Sequence, residues 1–407
     1  MRRILFIGLT LLPFLGLAQG FQVNLHGEKQ IGMGHTGTGL LQDGASVLFN
    51  PGAVAMLPEN YIQGGISPLF FNSAFLAAGS NQQENNKNQV ATPFSVYGVW
   101  GPEKSPWKIG LGVYTPFGGL TDWGTSWSGK YALESLNLKA IYFQPTISYK
   151  LCNTISIGAG FVYNHASVDL TKAIPTASST GADGQAELKG SGKGYGFNAG
   201  VFIKASEKVN IGLSYRSKVN TKIDGGAATF MVPASLSANF PSPNTFSSSI
   251  PLPATASLGV GYYPTSNWTV AFDFQYVNWS VYKSLDFVYG QTTSTLQNTH
   301  SPRNYQNAYD FRGGAQYKTS PTVALRFGGG YASTAVKDGY VTPEAPDANR
   351  IYGTLGLGYK LAKRLDLDVS LEFEHLMSRT QTNMESNLSG TFKTDVTIPG
   401  LSLAYHW

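Results

Sequence analysis

The chain has 407 residues, and only 13% of them are charged, against roughly a quarter in an ordinary soluble protein. The net charge of +5 is spread over single positions without a basic run, which argues against nucleic acid as a partner. The single cysteine, Cys152, excludes an intramolecular disulfide and a cysteine-based metal site.

Residues 1–18 have the pattern of a cleavable secretory signal peptide. Met1-Arg2-Arg3 is a short basic start, residues 4–17 are mostly apolar, and Gly16-Leu17-Ala18 places small residues where signal peptidase cleaves. The apolar run is shorter than the roughly 20 residues that a membrane anchor needs. We therefore expect export of the chain, with cleavage after Ala18.

Residues 19–58 hold glycine, small residues and short apolar pieces, with little charge and no alternation. A disordered periplasmic tail is one interpretation. A plug, or hatch, folded inside a barrel accounts better for the many residues of a type that is usually buried. We expect a tight internal turn at Asn50, Pro51 and Gly52.

Residues 59–407 alternate between apolar and polar side chains over long segments. Strict alternation over nine or more residues predicts strands long enough to cross a bilayer at a tilt. About 14 such segments follow one another, joined alternately by tight turns and long polar links. The sequence therefore predicts an all-β transmembrane antiparallel barrel with short periplasmic turns and longer outer loops. Clear examples are the stretches 267–276, 351–361 and 365–374.

The third strand contains a candidate lateral opening at Pro116, Phe117, Gly118 and Gly119. Proline cannot donate to a strand ladder, and two glycines offer little packing, so a kink or a loss of pairing is expected there. The alternative is a simple strand end followed by a glycine turn.

Two outer links carry candidate surfaces for hydrophobic ligands. Trp123 and Trp127 lie in one, and Phe230 and Leu236 lie in another. The tryptophans fit an interfacial aromatic girdle equally well. Alternation along the strands places several cationic side chains on the inner face of the barrel. Among them, Arg326 is a candidate for binding the carboxylate of a ligand, although such residues more commonly form structural ion pairs.

No sequence pattern supports catalysis, a metal site or a cofactor. The six histidines are scattered, and neither a carboxylate pair nor a Ser-His-Asp set stands out. An outer-membrane lipase would need such a set. The last strand alternates up to the terminal Trp407, a pattern typical of the signal that the barrel assembly machinery uses.

The mature chain resembles the FadL-type outer-membrane transporters of long-chain fatty acids. The resemblance rests on an ordered set of stretches, each of them weak alone. They are Gly20-Phe21-Gln22, Asn50-Pro51-Gly52, Pro116 to Trp123, Trp127 to Tyr131, Gln144 to Tyr149, Trp268 to Ser280 and Pro346 to Arg350. The family usually has Asn-Pro-Ala at the second stretch, so Gly52 is a mild departure.

The resemblance implies a monomeric barrel of fourteen strands in the bacterial outer membrane, surrounded by its lipid and lipopolysaccharide. It also implies an N-terminal hatch and energy-independent passage of hydrophobic molecules, with lateral exit through a kink in the third strand. Long-chain fatty acids are the expected cargo. Uptake of aromatic hydrocarbons, or a secretion-associated or structural role for the same fold, are the alternatives.

Overall fold

A computed structural model describes residues 20–176 and 182–407. The expected signal peptide, residues 1–18, lies outside the described residues. None of the helices in these ranges is long and apolar enough to span a bilayer.

The described residues form one closed antiparallel barrel of fourteen staves, several of them interrupted by a short break. In chain order, the staves are β1 (Tyr61–Ile66, Leu69–Ala77), β2 (Gln83–Asn85, Val90–Ala91, Phe94–Trp100), β3 (Trp107–Asp122), β4 (Ser135–Lys150), β5 (Ile155–Ile174), β6 (Gly184–Lys204), β7 (Val209–Arg216, Val219–Met231), β8 (Asn244–Leu252, Thr255–Tyr262), β9 (Trp268–Val277, Ser284–Tyr289), β10 (Thr299–Pro302, Ala308–Lys318), β11 (Val323–Ala332), β12 (Arg350–Ala362), β13 (Leu365–Thr382) and β14 (Ser389–His406).

Each stave pairs with its sequence neighbours, and β1 pairs with β14 from Tyr61–His406 to Ile66–Leu401, which closes the barrel. Closure gives the first and last staves a partner in each other, as strands in lipid require. The predicted fold class, an all-β transmembrane barrel of about 14 strands, is confirmed.

Alternation along the staves separates a lipid face from a lumen face. On β13, Phe373 is 54% exposed on the outer surface, whereas Glu372 beside it is fully buried toward the lumen. On β9, Phe272 points outward and Asp273 inward in the same way. Side chains alternate across a strand, so an apolar outer band and a polar lumen come from one sequence pattern.

Two short helices and three 3-10 helices complete the described chain. The helices α1 (Glu28–Ile31) and α2 (Ser46–Phe49), and the 3-10 helix Pro51–Met56, lie before the first stave. The other two 3-10 helices, Ala234–Leu236 and Trp279–Val281, lie in the link after β7 and within β9.

Candidate functional site: a plugged lumen and a gap in the wall

Residues 20–57, called the hatch below, are held by inward side chains from several staves. The backbone amides of Gly37 and Thr38 both donate to the Asp273 carboxylate on β9, each at 2.9 Å. The His35 ring lies 2.9 Å from the Glu372 carboxylate on β13. Because β9 and β13 are four staves apart, these anchors place the hatch within the lumen.

The hatch turns at the Asn-Pro-Gly stretch. The Asn50 side chain caps the 3-10 helix Pro51–Met56, since its oxygen accepts a hydrogen bond from the Gly52 amide at 3.0 Å. Its nitrogen donates to the carbonyl oxygens of Thr38, at 2.9 Å, and Val201, at 3.0 Å. One buried amide therefore ties two parts of the hatch to β6.

Glycine on the inner wall allows the hatch backbone to approach the staves. A Cβ added at Gly212 would clash with the Thr38 carbonyl, and one added at Gly314 would clash with the Met33 carbonyl. Any side chain at either position would push the hatch away from the wall.

A buried carboxyl, Glu28, joins the hatch to two parts of the barrel. Its oxygens accept hydrogen bonds from Ser67, at 2.8 Å, and from Ser370. Burial raises the pKa of Glu28 to about 7, and the two serine hydrogen bonds oppose the shift. The docked hatch therefore favours the protonated carboxyl.

We expect Glu28→Gln to change the pH dependence of hatch docking. The Glu28 pKa is raised on docking, so the wild type should lose hatch stability as pH rises from about 4.5 through about 7. The variant cannot ionise, so hydrogen exchange should show hatch amides roughly tenfold or more better protected than in the wild type at pH 8. At pH 4.5 the two proteins should agree, and an equal difference at both pH values would contradict this.

Above the hatch, buried aromatic side chains from staves and outer links pack together. We call this cluster the aromatic core. Its members are Phe75, Tyr114, Phe117, Trp123, Trp127, Tyr142, Phe230, Trp279, Tyr282, Tyr289, Tyr305 and Phe392. The interior on this side of the hatch is thus an apolar environment rather than an aqueous channel.

Trp123 and Trp127 lie in the link between β3 and β4, and both belong to this core. Their rings stack with centroids 4.8 Å apart, and each side chain is 4% exposed. The Trp123 indole donates to the Pro343 carbonyl at 3.1 Å, which joins this link to the one after β11. Such burial does not fit the alternative of an interfacial girdle, whose residues face the membrane surface.

Of the second candidate pair, only Phe230 lies in the core. Its ring contacts Phe240, at 5.8 Å between centroids, and Tyr289, at 5.9 Å. Leu236 is half-buried in the 3-10 helix of the same link and lies outside the core. Phe240, from the middle of the link, thus takes the inner position beside Phe230.

The aromatic core also contains residues that the sequence did not single out. Trp279, Tyr282 and Tyr305 contact one another where β9 and β10 are interrupted. The Trp279 ring meets Phe117 edge-on at 6.1 Å. Within the described residues, the Trp279 indole nitrogen and the Tyr305 hydroxyl have no hydrogen-bond partner despite full burial. Two polar atoms are thus free in the apolar interior.

The third stave is irregular at the predicted position. It continues past Gly118 and Gly119 to Asp122, so it does not end in a glycine turn. Its register with β4 shifts between Tyr114 and Phe117, which leaves Thr115 and Pro116 opposite a single residue. Phe117 is therefore directed into the aromatic core.

On its other side, β3 loses its partner. Registered pairs with β2 end at Ser95–Tyr114, and the next backbone contact is Lys87 to Asp122, at 2.7 Å. Residues 116–121 of β3 are thus unpaired with β2, and this interval is called the wall gap below. A strand segment whose backbone has no partner strand on one side is expected at an opening in a barrel wall.

The start of the hatch occupies the inner side of the wall gap. The Val23 amide donates to the Pro116 carbonyl at 2.9 Å, and the Gly118 amide donates to the Phe21 carbonyl at 3.0 Å. A cavity of about 130 Å³ lies beside this contact, lined by Phe21, Gly119 and both apolar and charged neighbours, Arg350 among the latter. The gap is therefore covered by a short segment rather than by a stave.

The inward arginines differ in their partners. Arg326 pairs with Asp368 at 2.6 Å and lines a cavity on the periplasmic side of the hatch, away from the aromatic core. Arg312 pairs with Asp310 at 2.7 Å. Among the described carboxylates, none forms an ion pair with Arg216.

Arg216 instead lies beside the aromatic core. Its guanidinium carbon lies 5.5 Å from the Tyr114 ring centroid, and one nitrogen donates to the Leu48 carbonyl at 3.3 Å. Its Nε has no hydrogen-bond partner in the described part of the chain. It lines a small polar cavity of about 40 Å³ together with Phe117 and Asn24. Arg216 is therefore a better candidate than Arg326 for meeting an anionic group.

No group of three or more His, Cys, Asp or Glu side chains in the described ranges could hold a metal ion. The site consists instead of an aromatic interior above a hatch, next to a gap in the wall. Fold and site together define an outer-membrane β-barrel of the plugged transport class.

The chain belongs to the family described as "Outer membrane protein transport protein (OMPP1/FadL/TodX)", whose model matches residues 10–407. Membership makes it a bacterial outer-membrane transporter of hydrophobic compounds. It is 22% identical to a long-chain fatty acid transport protein of Escherichia coli, over 96% of this chain and 94% of that one. It is 23% identical to a 47 kDa outer membrane protein of Pasteurella multocida, with the same two coverages.

Solved structures have the same fold. A Pseudomonas aeruginosa FadL homologue superposes with a TM-score of 0.84 at 17% identity, over 95% of this chain and 99% of that one. The Pseudomonas putida toluene transporter TodX superposes with a TM-score of 0.71 at 17% identity, with the same coverages. The family resemblance stated from the sequence is confirmed.

Proposed function

We propose that this protein takes up long-chain fatty acids at the cell surface and releases them sideways into the membrane through the wall gap. The aromatic core would receive the alkyl chain, and residues 116–121 would be the exit. The observation that carries the proposal is the contact between these two features at Phe117, whose ring is in the core while its backbone belongs to the gap.

A hydrophobic interior suits this cargo on energetic grounds. Each methylene moved from water to an apolar site contributes roughly 0.8 kcal/mol. A polar pore would contribute nothing comparable, and the packed sugars of the outer leaflet hinder direct entry of an apolar solute. Capture in the core followed by lateral exit would keep the alkyl chain out of water throughout.

Arg216 favours an acid over an uncharged hydrocarbon. Arg216 is half-buried near aromatic rings and has no carboxylate partner among the described residues, so it gains from a carboxylate ligand. Uptake of an aromatic hydrocarbon, the cargo named for the toluene transporter among the similar structures, would leave that charge unpaired. The cation thus supports fatty acid as the first candidate and toluene-like compounds as the second.

Binding measurements on the purified protein separate these candidates. We expect affinity for saturated fatty acids to fall roughly fourfold for each methylene removed, following the burial energy. Methyl esters should bind more weakly than the acids, and Arg216→Gln should remove that difference while leaving ester binding unchanged. Arg326→Gln, which alters a cation outside the core, serves as the control.

Tight binding of toluene together with weak binding of every fatty acid would assign the aromatic-hydrocarbon alternative. Absence of binding by both classes, with partner proteins co-purifying, would favour a secretion-associated or structural barrel.

A further inference from the structure

A row of basic side chains crosses the outer wall of the barrel on three adjacent staves. His165 on β5 is registered directly opposite Lys193 on β6, and Lys193 is directly opposite Lys222 on β7. All three side chains are exposed on the outer face. Directly opposed side chains in a sheet have Cβ atoms about 5 Å apart, so like charges there destabilise the pairing.

A neighbouring outward lysine on β6, Lys189, is paired with acid. Lys189 lies two outward positions beyond Lys193 on β6 and is registered opposite Asp169, with which it forms an ion pair at 3.5 Å. It also pairs with Glu187 at 2.5 Å. None of the described carboxylates forms such a pair with Lys193 or Lys222. Lys193 and Lys222 thus stand directly opposite each other without the acidic partners that Lys189 has.

The row lies at the outer edge of the apolar band. On β5 the outward residues run through Ile155, Ile157 and Phe161 to Tyr163, and His165 is the next outward position. On β6 the outward residues of the apolar band end at Tyr195, and Lys193 is the next outward position. Tyrosine marks the membrane interface in barrels, so the basic row stands at the level of the lipid headgroups.

The three basic residues line a groove on the outer face of the barrel. Registered pairs between β6 and β7 end at Arg216–Asn198 and resume at Lys222–Lys193. At this break the outer face has a cavity of about 620 Å³, lined by the three basic residues, Tyr163, Tyr195 and one acid, Asp224. The rings of Tyr163 and Tyr195, which both line the cavity, lie 5.7 Å apart and are tilted by 42° to one another, so each offers an apolar ring face to a sugar.

We propose that this groove binds a phosphorylated glycolipid of the outer leaflet, with its phosphate between Lys193 and Lys222 and a sugar ring against the two tyrosines. A phosphate relieves the repulsion between the opposed lysines and accepts hydrogen bonds from both. The surrounding apolar band accommodates the acyl chains. The bound lipid is a fixed part of the protein's membrane surface and is separate from the transported cargo.

The test is a titration of the detergent-purified full chain with lipid A, followed by native mass spectrometry. We expect Lys193→Glu/Lys222→Glu to bind lipid A at least tenfold more weakly than the wild type. Lipid A without phosphate should bind the wild type as weakly as lipid A binds the variant. The control, Lys208→Glu/Lys363→Glu, makes the same charge change in exposed turns at the other end of the barrel and should bind normally.

Circular dichroism must first show that each variant is a folded barrel. Lys193→Gln/Lys222→Gln, which removes charge without reversing it, provides a second folded variant and should also bind weakly. Equal binding of lipid A by wild type and both variants would overturn the proposal. So would equal binding of the phosphate-free lipid, or complete displacement of lipid A by millimolar inorganic phosphate.

Discussion

Gly118→Trp should reduce fatty-acid uptake by cells more than tenfold while leaving the amount of protein in the outer membrane unchanged. Gly118 lies in the wall gap, where its amide holds the start of the hatch through the Phe21 carbonyl. An indole there would fill the space through which an alkyl chain must pass. We expect normal assembly because the registered pairs between β2 and β3 end at Ser95–Tyr114. The new side chain at position 118 therefore breaks no pairing with β2.

Gly98→Trp is the matched control for this substitution. Gly98 is on the neighbouring stave β2, and a Cβ atom built on it meets no atom within 4 Å. The same bulky residue there should leave uptake near the wild-type rate. Normal uptake by Gly118→Trp at normal surface levels would contradict lateral exit through this gap, and fatty-acid binding by the purified variant would show whether capture still occurs.

Asp273→Ala should turn a poorly conducting barrel into one with frequent large openings in planar bilayers. The carboxylate accepts two backbone hydrogen bonds from the hatch, and its removal leaves the Gly37 and Thr38 amides without those acceptors. A buried donor left unsatisfied costs about 1–3 kcal/mol, so two of them should raise the population of displaced hatch on the order of a hundredfold.

Asp286→Ala serves as the control, since this carboxylate is on the second segment of the same stave, half exposed and paired with His300 rather than with the hatch. It should conduct like the wild type. Unchanged conductance in Asp273→Ala, with hydrogen exchange showing that the Gly37 and Thr38 amides have become exposed, would mean that this part of the hatch does not seal the lumen.

The staves could be predicted because each obeys a local rule. Apolar and polar residues alternate along β9, β12 and β13 because one face of each strand meets lipid and the other meets the lumen. This pattern can be recognised in the sequence without knowing any distant contact. The interruptions in β9 and β10 could not be predicted in this way. There the chain leaves the alternating pattern to place Trp279 and Tyr305 in the interior, a choice set by packing against Phe117 far away in sequence.

The candidate site was accessible to sequence reasoning only in part. Proline and paired glycines act on their own backbone, so the irregularity at residues 116–119 has a local signal. No local sequence signal indicates which partners the inward charged side chains have. Parity places Arg216, Arg312 and Arg326 in the lumen alike, but only the three-dimensional arrangement gives carboxylates to the last two.

The glycines that admit the hatch backbone have a consequence for how such proteins can diversify. At Gly212 and Gly314 the wall is shaped to the main chain of this particular plug, so the plug is not an interchangeable module. A chimera carrying a relative's N-terminal segment would meet a mismatched inner surface. Changes in cargo would therefore arise more readily in the outer links, which can vary without disturbing the fit between plug and wall.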